Sequence, residues 1–348
     1  MELTLHRETV SLRDRVRAAH QDHATRTRLF VRLEHDGVVG YGEIAPQPVA
    51  LNGDPGVGEV IQELDGYVLS QLQSALEREG ALPSWTRLAR FAGSRAASTP
   101  AVTLIEMALL DRELRSEGRS INDVWPQRFD TPVQGTVSLL DDEPWNIADE
   151  WVRVRVKTAP GSLSSSARER LSALSIPVLV DFNCSGTTLD EVITHVQHIG
   201  EYATVAALEQ PYAPGNVIDH AKLATRLDVP LSLDEGVRSL RDLEQIVRYD
   251  AAKIVCIKPA RVGGYANART LIELASAKGL TPYVGGFFES PFARHVNSVL
   301  SRHLVAEPSD IGRVASNSTD EVEPVPGGFE MKPSQRTLER SVLVATFA

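Results

Sequence analysis

The chain has 348 residues, with 36 Lys or Arg against 46 Asp or Glu, a formal charge of −10 and no block of basic residues. That balance argues against nucleic acid and anionic membranes as partners, and the length suits a barrel of about 250 residues with a second unit of roughly 100. The two cysteines, Cys184 and Cys256, read as free thiols in a reducing compartment. The opening residues lack an apolar signal core and no run approaches the roughly 18 apolar residues of a spanning helix, so a soluble, cytoplasmic protein is expected.

In chain order, Leu3 and Leu5 alternate with polar neighbours as in a strand, and residues 13–26, polar and bearing His20 and His23, read as a mobile loop. Extended runs at 28–34 and 38–43 flank His35-Asp36-Gly37, which predicts a hairpin. Residues 44–55, rich in Pro, Gly and Asn, predict a loop. Residues 56–82 then show helical spacing through Val60, Leu64, Val68, Leu69 and Leu72. These elements predict an α+β capping domain over 1–98, completed by the tail 313–348, with the barrel over 99–312. A second helix, 101–116, begins behind Thr99-Pro100 and leads to a first barrel strand at 132–139.

From there the texture changes to short apolar runs closed by a charge, ending at Lys157, Asp181, Glu209, Asp234 and Lys258, with Glu289 closing a sixth. The intervals are 24, 28, 25, 24 and 31 residues, the repeat of a β/α barrel. Helices are expected between them at 164–174, 188–200, 216–226, 239–248 and 265–278, and this alternation argues for a parallel sheet with right-handed crossovers. Residues 292–303 look helical, 304–307 could form the last short barrel strand, and the tail from 313 looks mostly irregular and returns to the cap.

Barrel strand ends build active sites. Asp181, Glu209 and Asp234 on successive strands would present three hard oxygen ligands to one point, a set that selects Mg²⁺ or Mn²⁺ over zinc. Such a cation stabilises the charge that a carboxylate gains when its α-proton leaves. Lys157 lies one strand before this block and Lys258 one strand after it, so the two ammonium groups should approach a substrate from opposite sides. Arg155, on the same strand face as Lys157, is positioned to tune it.

Plainer readings compete for each residue alone. A carboxylate at a strand end commonly caps a helix, and a lysine commonly snorkels; the coincidence of five charged ends outweighs both. Asp181-Phe182-Asn183-Cys184-Ser185-Gly186 imitates a calcium loop but fails at position 12, Val192. His195 and His198 share a helix face and read as a solvated pair, as do His220 and His303. Gly263-Gly264 and Gly285-Gly286 read as tight strand-to-helix turns.

With Arg155-Val156-Lys157, Asp181-Phe182-Asn183, Glu209-Gln210-Pro211, Asp234-Glu235 and Lys258-Pro259, nearly the whole chain resembles the enolase superfamily, in its muconate-lactonizing-enzyme subgroup. The segments Gly40-Tyr41-Gly42-Glu43-Ile44-Ala45-Pro46 and Gly285-Gly286-Phe287-Phe288-Glu289-Ser290 are similar to those of o-succinylbenzoate synthases and N-succinylamino acid racemases. The Asp-x-Asp of dipeptide epimerases is lacking. The resemblance implies an α/β fold, a (β/α)7β TIM-like barrel under an N-terminal α+β capping domain. It implies Mg²⁺, with Mn²⁺ as a substitute, on Asp181, Glu209 and Asp234, and Lys157 and Lys258 as acid/base groups. Arg155, Asn183, Glu235, Gly285, Gly286, Glu289 and Ser290 then fall in supporting or substrate-side positions. The partner is a small-molecule carboxylate, and family habit suggests a homo-oligomer. Arg155 stands where the subgroup has a first lysine, and Phe287 and Ser290-Pro291 replace a Met and a Thr-Gly.

The leading expectation is o-succinylbenzoate synthase, a syn-dehydration in menaquinone synthesis. N-succinylamino acid racemisation and muconate cycloisomerisation are alternatives on the same groups. From other classes, Lys258 could form a Schiff base as a metal-independent lyase, or the chain could be a non-catalytic relative that binds a carboxylate. Residues 13–26 and 50–54 are expected to be specificity loops that gate access.

Overall fold

The computed structural model describes residues 1–20, 22–92, 99–161, 163–312 and 321–347. Strands β1 (Glu2–Arg17), β2 (Asp22–His35) and β3 (Val38–Ile44) open the chain. The β2–β3 hairpin turns through Asp36 and Gly37, both at positive φ (53° and 74°), the geometry of a two-residue hairpin turn. The loop expected at 13–26 is instead strand for most of its length: Val16 pairs with His23 and Arg17 with Asp22. Polar side chains mislead there because the ladder is made by backbone groups, and the Thr25 and Thr27 side chains suit a strand; residue 21 lies outside the described residues.

The helix expected over 56–82 is α1 (Val57–Glu63), a π-turn over Leu64–Val68, and α2 (Leu69–Glu79), stopped by Gly80 at φ 68°. Next come α3 (Trp85–Ala92), which the sequence reading missed, and α4 (Thr99–Ser116). Helix α4 is buried along almost its whole length, and β3 lies directly on it. A Cβ on Gly40 or Gly42 would come within 2.1 Å of the Ala108 or Leu104 carbonyl oxygen, so only glycine permits this approach.

After α5 (Ile121–Val124) the chain alternates strand and helix. The strands are β4 (Val133–Ser138), β5 (Trp151–Lys157), β6 (Val178–Asp181), β7 (Val205–Glu209), β8 (Leu231–Leu233), β9 (Ile254–Ile257) and β10 (Thr281–Val284). Between them run α6 (Ser165–Ser172), α7 (Leu189–Gly200), α8 (Val217–Ala224), α9 (Leu240–Tyr249), the short α10 (Pro259–Val262) and α11 (Tyr265–Ala277); α12 (Pro291–Leu304) follows β10. Ser164, Thr188 and Ser239 each cap a helix N-terminus through the side-chain oxygen. The seven strands form one curled parallel sheet in sequence order.

Alternation along these strands sorts the side chains. Val154, Val156, Val178, Val180, Leu208, Leu231, Leu233, Val255 and Ile257 join the helices in the main core, whereas Leu179, Ala207, Ile254, Cys256 and Tyr283 form a separate inner cluster. The predicted strand-end charges continue that inner row: Asp181 follows Leu179 by two, Glu209 follows Ala207, and Lys258 follows Cys256.

The last barrel strand expected at 304–307 is displaced. Leu304 still belongs to α12, and the residues that bridge the sheet are Ser309, parallel to Val133, and Asp310, parallel to Gly285. Pro308, which lacks an N–H, precedes the bridging pair. Glu289 does not end a strand either: β10 stops at Val284, and Gly285, Gly286 and the left-handed Phe288 (φ 66°) break the run. The tail contributes β11 (Val322–Pro324), β12 (Met331–Pro333), α13 (Gln335–Arg340) and β13 (Val342–Phe347), and β13 pairs with β1, giving the first sheet the order β13-β1-β2-β3. The irregularity expected from 313 thus fails beyond residue 320; 313–320 lie outside the described residues.

The solvated histidines are corrected too. His195, His220 and His303 are buried, and each places Nδ1 on a backbone carbonyl, of Gly161 at 2.7 Å, Asn216 at 2.8 Å and Pro126 at 2.8 Å respectively, which satisfies the ring inside the core. Both cysteines are free, as expected. Among the described residues, no helix is long and apolar enough to cross a membrane.

Candidate active site

The parallel register places Lys157 beside Asp181 and Asp181 beside Glu209. Asp234 and Lys258 leave the next two strand ends, so the six residues Arg155, Lys157, Asp181, Glu209, Asp234 and Lys258 meet at the inner face. Lys157 Nζ lies 2.5 Å from Asp181 Oδ2, and Lys258 Nζ lies 2.8 Å from Asp234 Oδ2, at opposite sides of the carboxylate row. Arg155 reaches all three carboxylates with one nitrogen: Nη2 is 2.8 Å from Asp181 Oδ2, 3.3 Å from Asp234 Oδ2, and also bonded to Glu209.

Burial and charge oppose each other here. Burial works to raise Asp234, but Arg261, Lys258 and Arg155 overcome it and hold this carboxyl well below the usual range. Asp181 is held down in the same way by Arg155 and Lys157. At Glu209 burial wins over Arg155, with the charges of Asp181 and Asp234 adding to it, and the group is pushed up to about 7. Burial pulls Lys258 down, yet the charges around it, Asp234 foremost among those that raise it, leave its ammonium above the ordinary lysine value.

A second rank surrounds this row. Asn183 Nδ2 donates to Glu235 Oε1 at 3.2 Å, and Asn52, from the loop after β3, sits over both, 3.4 Å from the Asn183 carbonyl. Asn183 Oδ1 and Glu235 Oε2 are buried without a partner among the described residues, which suits acceptors that a ligand would meet. Gly285 makes room for the catalytic lysine candidate: a Cβ there would stand 2.9 Å from Lys258 Cε and 2.5 Å from Cys256 Sγ. A Cβ on Gly286 would meet Glu289 Oε2 at 2.6 Å. Glu289 accepts from the Phe287 N–H at 2.7 Å, and the Ser290 hydroxyl donates to Glu43 while accepting from the Phe292 N–H. Ser290 therefore belongs to a network with β3 and the start of α12, while Glu289 holds the turn at Phe287. Asn183, Cys184, Gln210 and Phe288 all take positive φ (43°, 67°, 37° and 66°), a cluster of non-glycine strain just beyond the ends of β6, β7 and β10.

Arg261, Tyr283 and Asp310 were not singled out from the sequence, and Arg26 and Asp54 only as the ends of the expected specificity loops 13–26 and 50–54. Arg261 binds Asp234 through one terminal nitrogen and Asp54 through Nε and Nη2 at 2.9 and 2.7 Å, tying the loop after β3 to the site. Tyr283 donates its hydroxyl to Glu209, and Asp310 takes Arg155 Nη1. Arg26 is buried between Phe287 and Phe288, with burial drawing its value down to about 10. Arg261, three residues past Lys258, and Tyr283, two before Gly285, carried a positional signal; Asp310 had none, because its strand shrinks to a bridge.

The donor set suits a hard divalent cation: three buried carboxylates from neighbouring strands gather at one point where a cationic nitrogen stands. Among the described residues, no group of three or more Asp, Glu, His or Cys side chains is already arranged to hold a metal ion; the point on which Asp181, Glu209 and Asp234 converge is Arg155 Nη2.

Residues 146–335 match the enolase C-terminal domain-like family. The chain is 32% identical over 226 residues to an N-succinylamino acid racemase of an Amycolatopsis species, covering 62% of this chain and 59% of that one, so the match spans about three-fifths of that relative. It is 25% identical over 313 residues to an o-succinylbenzoate synthase of Bacillus subtilis, covering 86% and 81%. The crystal structure of an N-succinyl Arg/Lys racemase from Bacillus cereus superposes with a TM-score of 0.82 over 99% of this chain and 98% of that one, at 19% identity, which speaks for a shared fold. Since the family match covers more than half its length, the chain belongs to the enolase C-terminal domain-like family, within the enolase superfamily.

Proposed function

We propose that this chain removes the proton α to a carboxylate with Mg²⁺ bound, and that its reaction is the o-succinylbenzoate synthase step, syn-dehydration of a succinyl-hydroxycyclohexadiene carboxylate in menaquinone biosynthesis. The observation that carries the reading is the opposition of Lys157 and Lys258 across the three carboxylates, each held to a different aspartate. Asp181, Glu209 and Asp234 would hold the metal, with Mn²⁺ as a substitute; when bound, it supplies positive charge where the substrate carboxylate gains negative charge. Lys157 takes the α-proton and delivers it to the departing hydroxyl. Lys258, kept protonated by its pairing with Asp234, stabilises the developing charge from the other side. Both lysines are buried, so the loop carrying Asn52 and Asp54 must yield for substrate to enter.

The bridges from Ser309–Asp310 to both edges of the sheet support its closure as a (β/α)7β barrel, with residues 1–98 and the tail 313–348 as its cap. A cytoplasmic homo-oligomer remains part of this reading.

Racemisation of N-succinylamino acids is the second reading, favoured by the same opposed lysines, one removing and the other returning the proton, and by the similarity to racemases. Muconate cycloisomerisation uses the same groups. Schiff-base chemistry needs a neutral Lys258, which its raised value opposes. Ultraviolet absorbance on the cyclohexadiene carboxylate, with Mg²⁺ and with EDTA, tests the synthase; α-deuterium incorporation into N-succinylamino acids by NMR tests the racemase. Metal-dependent conversion of neither substrate rejects both readings.

A further inference from the structure

We propose that the Arg155 guanidinium is a resident counter-cation which the chain moves aside to admit its divalent metal, with Asp310 as the anchor on which it pivots. This rests on the metal reading given under Proposed function. The fork of Arg155 is divided: Nη2 serves Asp181, Glu209 and Asp234 together, while Nη1 bonds Asp310 outside that trio. A guanidinium nitrogen and a divalent ion cannot share the point where three carboxylates converge, because the two positive charges would be nearly in contact in a buried site.

Two further observations show how the head can leave without losing its partner. Asp310 is held independently by the Thr136 hydroxyl at 3.0 Å and is, at 14% side-chain exposure, the least buried of the four carboxylates on Arg155. Arg155 Nε is buried with no partner among the described residues, so a pivot breaks no bond on that edge. A lysine at this position has a single ammonium and could not bridge the trio and Asp310 as a planar fork does. With Lys157 on Asp181 and Lys258 and Arg261 on Asp234, Arg155 thus offsets the charge of the trio before metal arrives, which lets the buried carboxylates persist without a bound ion.

Mn²⁺ serves as the probe, with free Mn²⁺ read by electron paramagnetic resonance in the purified full chain and folding checked by near-ultraviolet circular dichroism. If the guanidinium holds the trio most of the time, its removal should tighten Mn²⁺ binding by about tenfold in both Arg155→Met and Arg155→Lys. Asp310→Asn removes the anchor and should weaken binding by about fivefold. In EDTA, Arg155→Met should melt well below the parent, and saturating Mn²⁺ should restore it by a larger shift than the parent shows. Binding within twofold of the parent in both Arg155 variants, or tightening in Arg155→Met alone, overturns the inference while leaving the metal site standing. Absence of Mn²⁺ binding in the parent and every variant overturns the metal reading and this inference with it. If Arg155→Met does not fold, Arg155→Lys and Asp310→Asn still decide by their opposite directions.

Discussion

Glu106 and Lys157 show how differently one buried titratable group and the next are used. Glu106, on α4, accepts from the Tyr265 and Ala266 N–H groups at the start of α11, and burial outweighs those bonds to push it up to about 8. The native chain therefore keeps a proton there that the unfolded chain, with a carboxyl near 4.5, releases. Its contribution to stability is full below pH 4.5 and is lost as pH rises toward 8, at about 1.4 kcal/mol per unit. Glu106→Gln should flatten that share of the decline in urea denaturation between pH 5 and 8, leaving what Glu43 adds; an unchanged slope would contradict the assignment. The role proposed for Lys157 is proton transfer instead: on that reading Lys157→Ala should lower turnover by about 10³-fold while Mn²⁺ still binds. Most of this row was legible as charge at the end of an apolar run. Arg261, Tyr283 and Asp310 were not, since their roles come from the curl that faces them toward Asp234, Glu209 and Arg155.

At the scale of elements, the 24- to 31-residue interval between charged ends revealed the parallel sheet, and most helices between strands fall within about two residues of expectation because serine and threonine caps mark their starts. What escaped was set by contacts distant in sequence: the polar extension of β1 and β2, the bridge at Ser309–Asp310 and the burial of His195, His220 and His303. The seating of β3 on α4 yields a clean comparison. Gly42→Ala would press a methyl against the Leu104 carbonyl and should cost about 1–3 kcal/mol in denaturant unfolding. Gly58→Ala, in α1 with nothing within 4 Å of the added carbon, should gain about 0.4–1 kcal/mol. Equal effects at the two positions would refute the close-packing account.

Over the whole molecule, the loop after β3 is joined to the segments that follow β8 and β9 by ion pairs at the site. Asp54 carries this load, 2.7 Å from Arg261 and 3.1 Å from Arg238, and the pairing holds its carboxyl below the ordinary value against burial. Asp54→Ala leaves Arg261 short of a partner and should destabilise by about 3 kcal/mol, whereas Arg269→Ala, which breaks an exposed pair with Glu273, should leave the urea midpoint unchanged. A comparable loss in both would show that the Asp54 pairs contribute nothing special.

The most direct test of the account is turnover by Mg²⁺-loaded parent, Lys157→Ala and Lys258→Ala chains offered the succinyl-hydroxycyclohexadiene carboxylate and an N-succinylamino acid in deuterated solvent. The account predicts EDTA-sensitive conversion or α-deuterium exchange in the parent and a loss of about 10²-fold or more in each lysine variant. Undiminished turnover in Lys157→Ala would contradict it.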